Sequence, residues 1–170
     1  METGEESVWL KECVKAFPEV RSRRIAITYA RTPKNILARV KGRLMVSREI
    51  QAEKLLLEGK ACVKIKRRLP KEYVIQINRD IAKITKKPLR KQVVQYLIIH
   101  ELLHILNKDL ITLSKEYGRR KKTKIHTKEF HKQVLSRYNT VRSGNGMKPI
   151  RDYRILERAV NQVLSKVTKK

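Results

Sequence analysis

Cysteine is nearly absent from this chain: Cys13 and Cys62 are the only two in 170 residues. Two thiols far apart in sequence build neither a disulfide framework nor a cysteine-type zinc site, so a reducing interior is the default expectation. Long apolar runs are missing as well. No stretch reaches the ~18–20 residues of a membrane-spanning helix, and the opening Met1–Val8 is acidic and polar, unlike a secretory signal. No repeat is visible. A cytoplasmic protein without a membrane partner is the expectation, or a nucleoid or nuclear one if it works on DNA.

Acidic residues are scarce: 16 Asp and Glu stand against 42 Lys and Arg, a formal net charge of +26. Such an excess opposes compaction and attracts polyanions, so nucleic acid is an expected partner. The basic residues recur in clusters: Arg21, Arg23 and Arg24; Lys64, Lys66, Arg67 and Arg68; Lys86, Lys87, Arg90 and Lys91; then Arg119, Arg120, Lys121, Lys122 and Lys124. The last cluster is the candidate nucleic-acid contact. Aromatics make up only 5% of the chain, with no aromatic–glycine pattern of a base-stacking sheet. Contact is therefore expected with the phosphate backbone rather than with base edges.

The hydrophobic pattern divides the chain into short elements. Val8–Phe17 reads as an amphipathic helix closed by Pro18, and residues 24–30 alternate as a strand. Ile36–Val46 is read as a second strand. Ser47 is an N-cap candidate for a helix running to Glu58, with Gly59 as its stop. Cys62–Lys66 and Glu72–Asn78 are further strand candidates. From Pro88 onward Val93, Val94, Leu97, Ile98, Leu102 and Ile105 recur at helical spacing. Helix is expected again from His126 to about Tyr138. A last helix with Tyr153, Leu156, Val160, Val163, Leu164 and Val167 on one stripe follows the break at Ser143–Gly146. The expected division is an N-terminal helical segment over 1–20, a main domain over 21–142, and a C-terminal helix within 143–170 packed on that domain.

All four histidines fall between positions 100 and 131. His100 and His104 are four apart, which puts both imidazoles on one helix face, one turn from each other. That spacing suits two Nε2 ligands of one tetrahedral zinc. Glu101, rotated about 100° away, reaches a metal-bound water rather than the ion and can take its proton. Zinc lowers the pKa of such a water toward ~7 and polarises a scissile carbonyl. The pattern thus points to a zinc-dependent peptidase with protein or peptide substrates. His126 is the expected third ligand; Glu116, Glu129 and His131 are alternatives. Glycine does not occupy the third position after His104, which excludes the long metzincin pattern. Tyr117, His131 and the nearby arginines are candidates for the group that stabilises the oxyanion.

The run Tyr73–Asn78, then Ile99-His-Glu-Leu-Leu-His104, and later His126-x-x-x-Phe130 resembles the SprT-like (Spartan-type) zinc metallopeptidases over about residues 72–138. It is also similar to the small YgjP-type peptidases, which share the late His-x-x-x-Phe element. The resemblance implies an α+β, zincin-like fold: a small, mostly antiparallel sheet, an active-site helix and a downstream helix carrying the third ligand. It implies zinc bound by His100, His104 and His126, with Glu101 as general base. For the Spartan-like branch it further implies proteolysis of proteins attached to DNA. If Glu72–Asn78 is an edge strand, its free backbone groups are expected to pair with an extended substrate and to give weak sequence selectivity. Two other readings are a nucleic-acid-binding protein whose zinc is structural, and a latent peptidase. In the latent form, the acidic Glu2, Glu5 and Glu6 or the C-terminal helix would fill the cleft.

Overall fold

The computed structural model of the 170-residue chain describes residues 4–33, 36–43, 55–57, 60–62, 72–107 and 126–168. Tyr73, Ile75 and Ile77 are buried and alternate with half-buried Glu72, Val74 and Gln76. This period of two turns one face of strand β5 (Glu72–Asn78) into the core. Strand β1 (Arg24–Ala30) pairs with β5 in parallel, and β2 (Ala38–Arg43) pairs with it antiparallel, giving the order β1-β5-β2. The fold is α+β around this small sheet, but the sheet is mixed rather than mostly antiparallel. The reason is topological. β1 and β2 run in opposite senses, so inserting β5 between them forces one pairing of each kind.

The same insertion makes β5 central, so it is not the substrate-pairing edge expected from its sequence. Among the described residues, the edges of this sheet are β1 and β2. A second correction concerns Ser47–Glu58. Its last residues form strand β3 (Leu55–Leu57), which pairs antiparallel with β4 (Lys60–Cys62). Three leucines in a row carry no period, and a glycine after them suits a hairpin connection as well as a helix stop. Residues 47–54 and 63–66 lie outside the described residues.

Helix α1 (Gly4–Lys15) buries Trp9, Leu10 and Cys13 and leads through Ala16 and Phe17 into a 3-10 turn at Pro18–Val20. Helix α2 (Lys87–Leu106) begins with Pro88 in its first turn, where a missing N–H costs nothing. From Val93 to Ile105 it is buried almost all round, because α1, α3, β2 and β5 enclose it. Helix α3 (Lys128–Gly144) lays Phe130, Val134, Tyr138 and Val141 against α2, and the Tyr138 hydroxyl donates to the Gln92 carbonyl at 3.1 Å. It starts two residues later than expected and runs six residues beyond Tyr138. Gly146, at φ +70°, turns the chain after it, with the Met147 N–H bonded to the Arg142 carbonyl. Helix α4 (Tyr153–Thr168) adds Leu156 and Val160 to the same core that holds Trp9, Ile75 and Leu102. The side chains of Val163, Leu164 and Val167 lie outside the described residues.

A polar seam joins α1 to α2. Glu5 pairs with Lys87 Nζ at 2.6 Å and with Arg90 at 3.2 Å, while Glu12 meets Lys91 at 2.9 Å and accepts from the buried Gln95 amide at 2.7 Å. The Lys87 hydrogen bond, the largest influence, holds the Glu5 carboxyl below its ordinary range. Two expectations change here. The Lys86–Lys91 cluster engages three of its cations with carboxylates of α1, which offsets part of its charge. Glu5 and Glu6 face this seam and Tyr29, whose hydroxyl donates to Glu6 at 2.9 Å, rather than filling a cleft.

Leu102 is fully buried in the middle of α2. Leu102→Ala is expected to lower unfolding stability by about 2–5 kcal/mol, read from denaturant or thermal unfolding. A loss below about 1 kcal/mol would contradict the close packing described around α2.

Candidate metal centre

Position four residues apart on α2 brings the His100 and His104 rings to 4.9 Å between centroids on one face of the helix. His126 lies two residues before α3 rather than within it. Thr127 is the N-cap, its hydroxyl accepting the Phe130 N–H at 3.2 Å, so the cap sets where the chain leaves the helix and turns His126 toward α2. Phe130, one turn into α3, forms the floor. Its ring stacks on His104 at 4.8 Å and meets His100 edge-on at 5.1 Å. The His-x-x-x-Phe spacing thus supplies the third histidine and an apolar plate against the rings of the other two.

The three Nε2 atoms converge. His126 Nε2 is 3.1 Å from His100 Nε2 and 3.2 Å from His104 Nε2, and the ligand atoms of all three lie within 4.8 Å of one another. Three nitrogens bound at ~2.0–2.1 Å to one tetrahedral ion stand about 3.3 Å apart, close to the two distances from His126, with the His100–His104 pair within 4.8 Å. Protons explain the cluster less well, since a single Nε2–H on His126 can serve only one of two neighbours. These histidines are therefore close enough to hold a metal ion, and the donor set fits a divalent ion that accepts imidazole. Burial, followed by the neighbouring His104, His126 and His131, pushes the His100 pKa down to about 3. A neutral imidazole is the form that ligates.

Glu101 is buried beside this cluster, 5% exposed. Burial pushes its carboxyl up to about 7, against the opposing pull of the Val40 backbone N–H. A cation held by the three histidines would offset part of that burial cost. The Val40 contact also ties Glu101 to β2. The Asn78 N–H bonds to the Leu37 carbonyl, which makes 37 and 78 a hydrogen-bonded pair of the antiparallel ladder. By alternation Ala38, Val40 and Gly42 occupy non-hydrogen-bonded pairs, so their backbone N–H and C=O groups point away from β5. Edge strand β2 therefore runs past Glu101 with its outer backbone groups turned outward.

The chain has no significant match to any family model, curated protein or solved structure.

The remaining expected site residues divide clearly. Glu129 is exposed and sits 3.9 Å from Lys132, outside the histidine cluster. His131 lies beside His126, 6.2 Å between ring centroids, and is not among the converging ligands. Glu116, Tyr117 and Arg119, Arg120, Lys121, Lys122 and Lys124 lie outside the described residues. Two tyrosines were not assigned a site role from sequence. Tyr96, one turn before His100 on the same face, has its ring 6.3 Å from the His100 ring and its hydroxyl 2.8 Å from that of Tyr153. The 96-100-104 spacing carried the signal for Tyr96. Tyr153 sat in the apolar stripe of the last helix, where nothing distinguished it from core. Among the described residues, no helix is long and apolar enough to cross a membrane.

Proposed function

We propose that this chain is a zinc-dependent endopeptidase with a zincin-like arrangement, acting on proteins on or near DNA. The observation that carries the reading is the convergence of three Nε2 atoms beside a buried glutamate on the same helix. The likeness of the His100–His104 and His126-x-x-x-Phe130 elements to SprT-like peptidases supports the same assignment. Zinc bound there supplies Lewis acidity toward a carbonyl oxygen and toward water. Glu101, poised near neutrality, takes a proton from the attacking water and delivers it to the departing amine nitrogen. Phe130, packed against the His100 and His104 rings, covers one side of the site.

Substrate pairing belongs to β2 in this reading. The outward groups of Ala38 and Gly42, with the Val40 carbonyl, fit an extended chain laid antiparallel or parallel along the edge. Recognition of backbone predicts cleavage of many unfolded proteins without a shared side-chain rule. Ala38→Pro removes one outward N–H and leaves the β5 ladder bonds in place. It is expected to raise KM for unfolded substrates several-fold, with metal content and the unfolding transition unchanged. An unaltered KM would remove β2 from the substrate site.

The nucleic-acid part rests on charge. Of the described carboxylates, Glu5, Glu12, Glu19, Glu72, Asp80 and Glu129 are in ion pairs, and Glu6 and Glu101 are buried. Few acidic groups remain to offset exposed cations such as Arg151, just before α4, and Arg154 and Arg158 on it. The testing experiment is proteolysis of a DNA-bound protein with and without duplex DNA at several salt concentrations. Stimulation by DNA that falls steeply with salt is expected. Activity indifferent to both would detach the peptidase from nucleic acid.

A further inference from the structure

His131 follows Phe130 on α3 and therefore sits one residue beyond the plate under the ligands. Its ring lies 6.2 Å from that of His126, yet it does not join the converging Nε2 atoms. Tyr153 of α4 covers its other side, with ring centroids 4.3 Å apart. The Tyr153 hydroxyl is in turn held at 2.8 Å by that of Tyr96, which lies one turn from His100 on α2. Three helices thus converge on a histidine that is not needed to bind the ion.

His131 Nδ1 is buried and has no hydrogen-bond partner among the described residues. A buried N–H without an acceptor is rarer than a buried lone pair without a donor, so the proton belongs on Nε2. The residue as a whole is only partly buried. With its proton on Nε2 the ring is an N–H donor beside the histidine cluster. Packing against Tyr153 restricts its rotation, and the Tyr96–Tyr153 bond fixes Tyr153.

We infer that His131 Nε2–H is the donor that binds the substrate carbonyl oxygen as negative charge develops on it, and that Tyr153 is its positioning residue. This rests on the peptidase reading. The donor moves no proton to the substrate; it supplies a hydrogen bond that strengthens as the oxygen gains charge. The inference also gives the C-terminal helix a role. Through Tyr153, α4 completes the site instead of merely covering the core.

The test uses the full chain, with two readouts. In ¹⁵N-resolved NMR, His131 is expected as the Nε2–H tautomer, with no direct-coordination shift on adding Zn²⁺, whereas His100, His104 and His126 shift. A proton on Nδ1, or a coordination shift at His131, overturns the assignment. In kinetics on an unfolded protein substrate, His131→Ala is expected to lose about 10²–10³-fold in kcat with little change in KM. His131→Gln, which returns an N–H near the Nε2 position, is expected to recover part of that loss. Tyr153→Leu should lower kcat by less than His131→Ala, while Tyr153→Phe, which keeps the ring, should be milder still. Unchanged kcat in His131→Ala, or Gln no better than Ala with zinc affinity intact in both, overturns the role. A parent chain no more active than Glu101→Gln sinks the peptidase reading itself and the substrate role with it. The NMR result would then decide the tautomer and the ligand set separately.

Discussion

Glu101→Gln is expected to bind zinc as tightly as the parent chain and to lose hydrolysis by about 10²–10⁴-fold. The substitution keeps the shape of the side chain and an oxygen able to accept the Val40 N–H, but it removes the group that takes the proton. The three Nε2 atoms are untouched, so a metal titration serves as the control. Hydrolysis at the parent rate would exclude Glu101 as the base. The variant has a second signature. A carboxyl whose folded pKa is raised destabilises the native state once it ionises, an effect absent below the unfolded pKa and complete above the folded one. For Glu101, raised from 4.5 to about 7, this corresponds to about 3 kcal/mol in the metal-free chain. Metal-free Glu101→Gln should therefore be more stable than the parent above neutral pH, and should lose that advantage as pH falls through the range from about 7 to 4.5. An advantage independent of pH would place its cause in packing rather than ionisation.

His126→Ala is expected to weaken zinc binding by more than about 100-fold and to abolish activity with it. Loss of an orienting partner alone costs 10–100-fold in such sites, and a lost ligand costs more. His126 is exposed and stands outside both helices. Its removal should therefore leave the unfolding transition of the metal-free chain nearly unchanged, separating ligation from folding. Glu129→Ala is the comparison, because Glu129 is also close in sequence but lies outside the cluster. Equal metal affinity in the parent and His126→Ala, with a loss in Glu129→Ala, would reverse the assignment of the third ligand. The same pair of titrations with His131→Ala tests whether His131 substitutes when His126 is absent.

Much of this protein was legible locally. Strands β1 and β5 were bounded by the alternation of Ile25, Ile27 and Tyr29 and of Tyr73, Ile75 and Ile77, because a half-buried strand writes its period directly into the sequence. The shared helix face of His100 and His104, with Glu101 turned away from it, was equally legible, since a spacing of four on a helix fixes angular position without any knowledge of the fold. The end of α3 was read too early, at about Tyr138, because the helix continues to Gly144 at the glycine break, and the Thr127 cap moved its start past His126. The Ser47–Glu58 reading failed where three consecutive leucines carried no period and pairing with the next few residues, Lys60–Cys62, chose a strand.

The sequence alone determined the residue types, the helical spacing of His100, Glu101 and His104, and the large positive charge. Tertiary structure decided everything that depends on contacts between distant segments. It placed His126 at 3.1–3.2 Å from the other two nitrogens across a gap of more than twenty residues. It put β5 in the centre of the sheet and so made β2 the edge beside Glu101 among the described residues. It spent the cations of Lys87, Arg90 and Lys91 on α1, and brought Tyr153 from the last helix onto His131. The physical reason is the same in each case. Periodicity reports which face of one element is buried, whereas strand order, ion pairing and ligand convergence are set by which elements share the core.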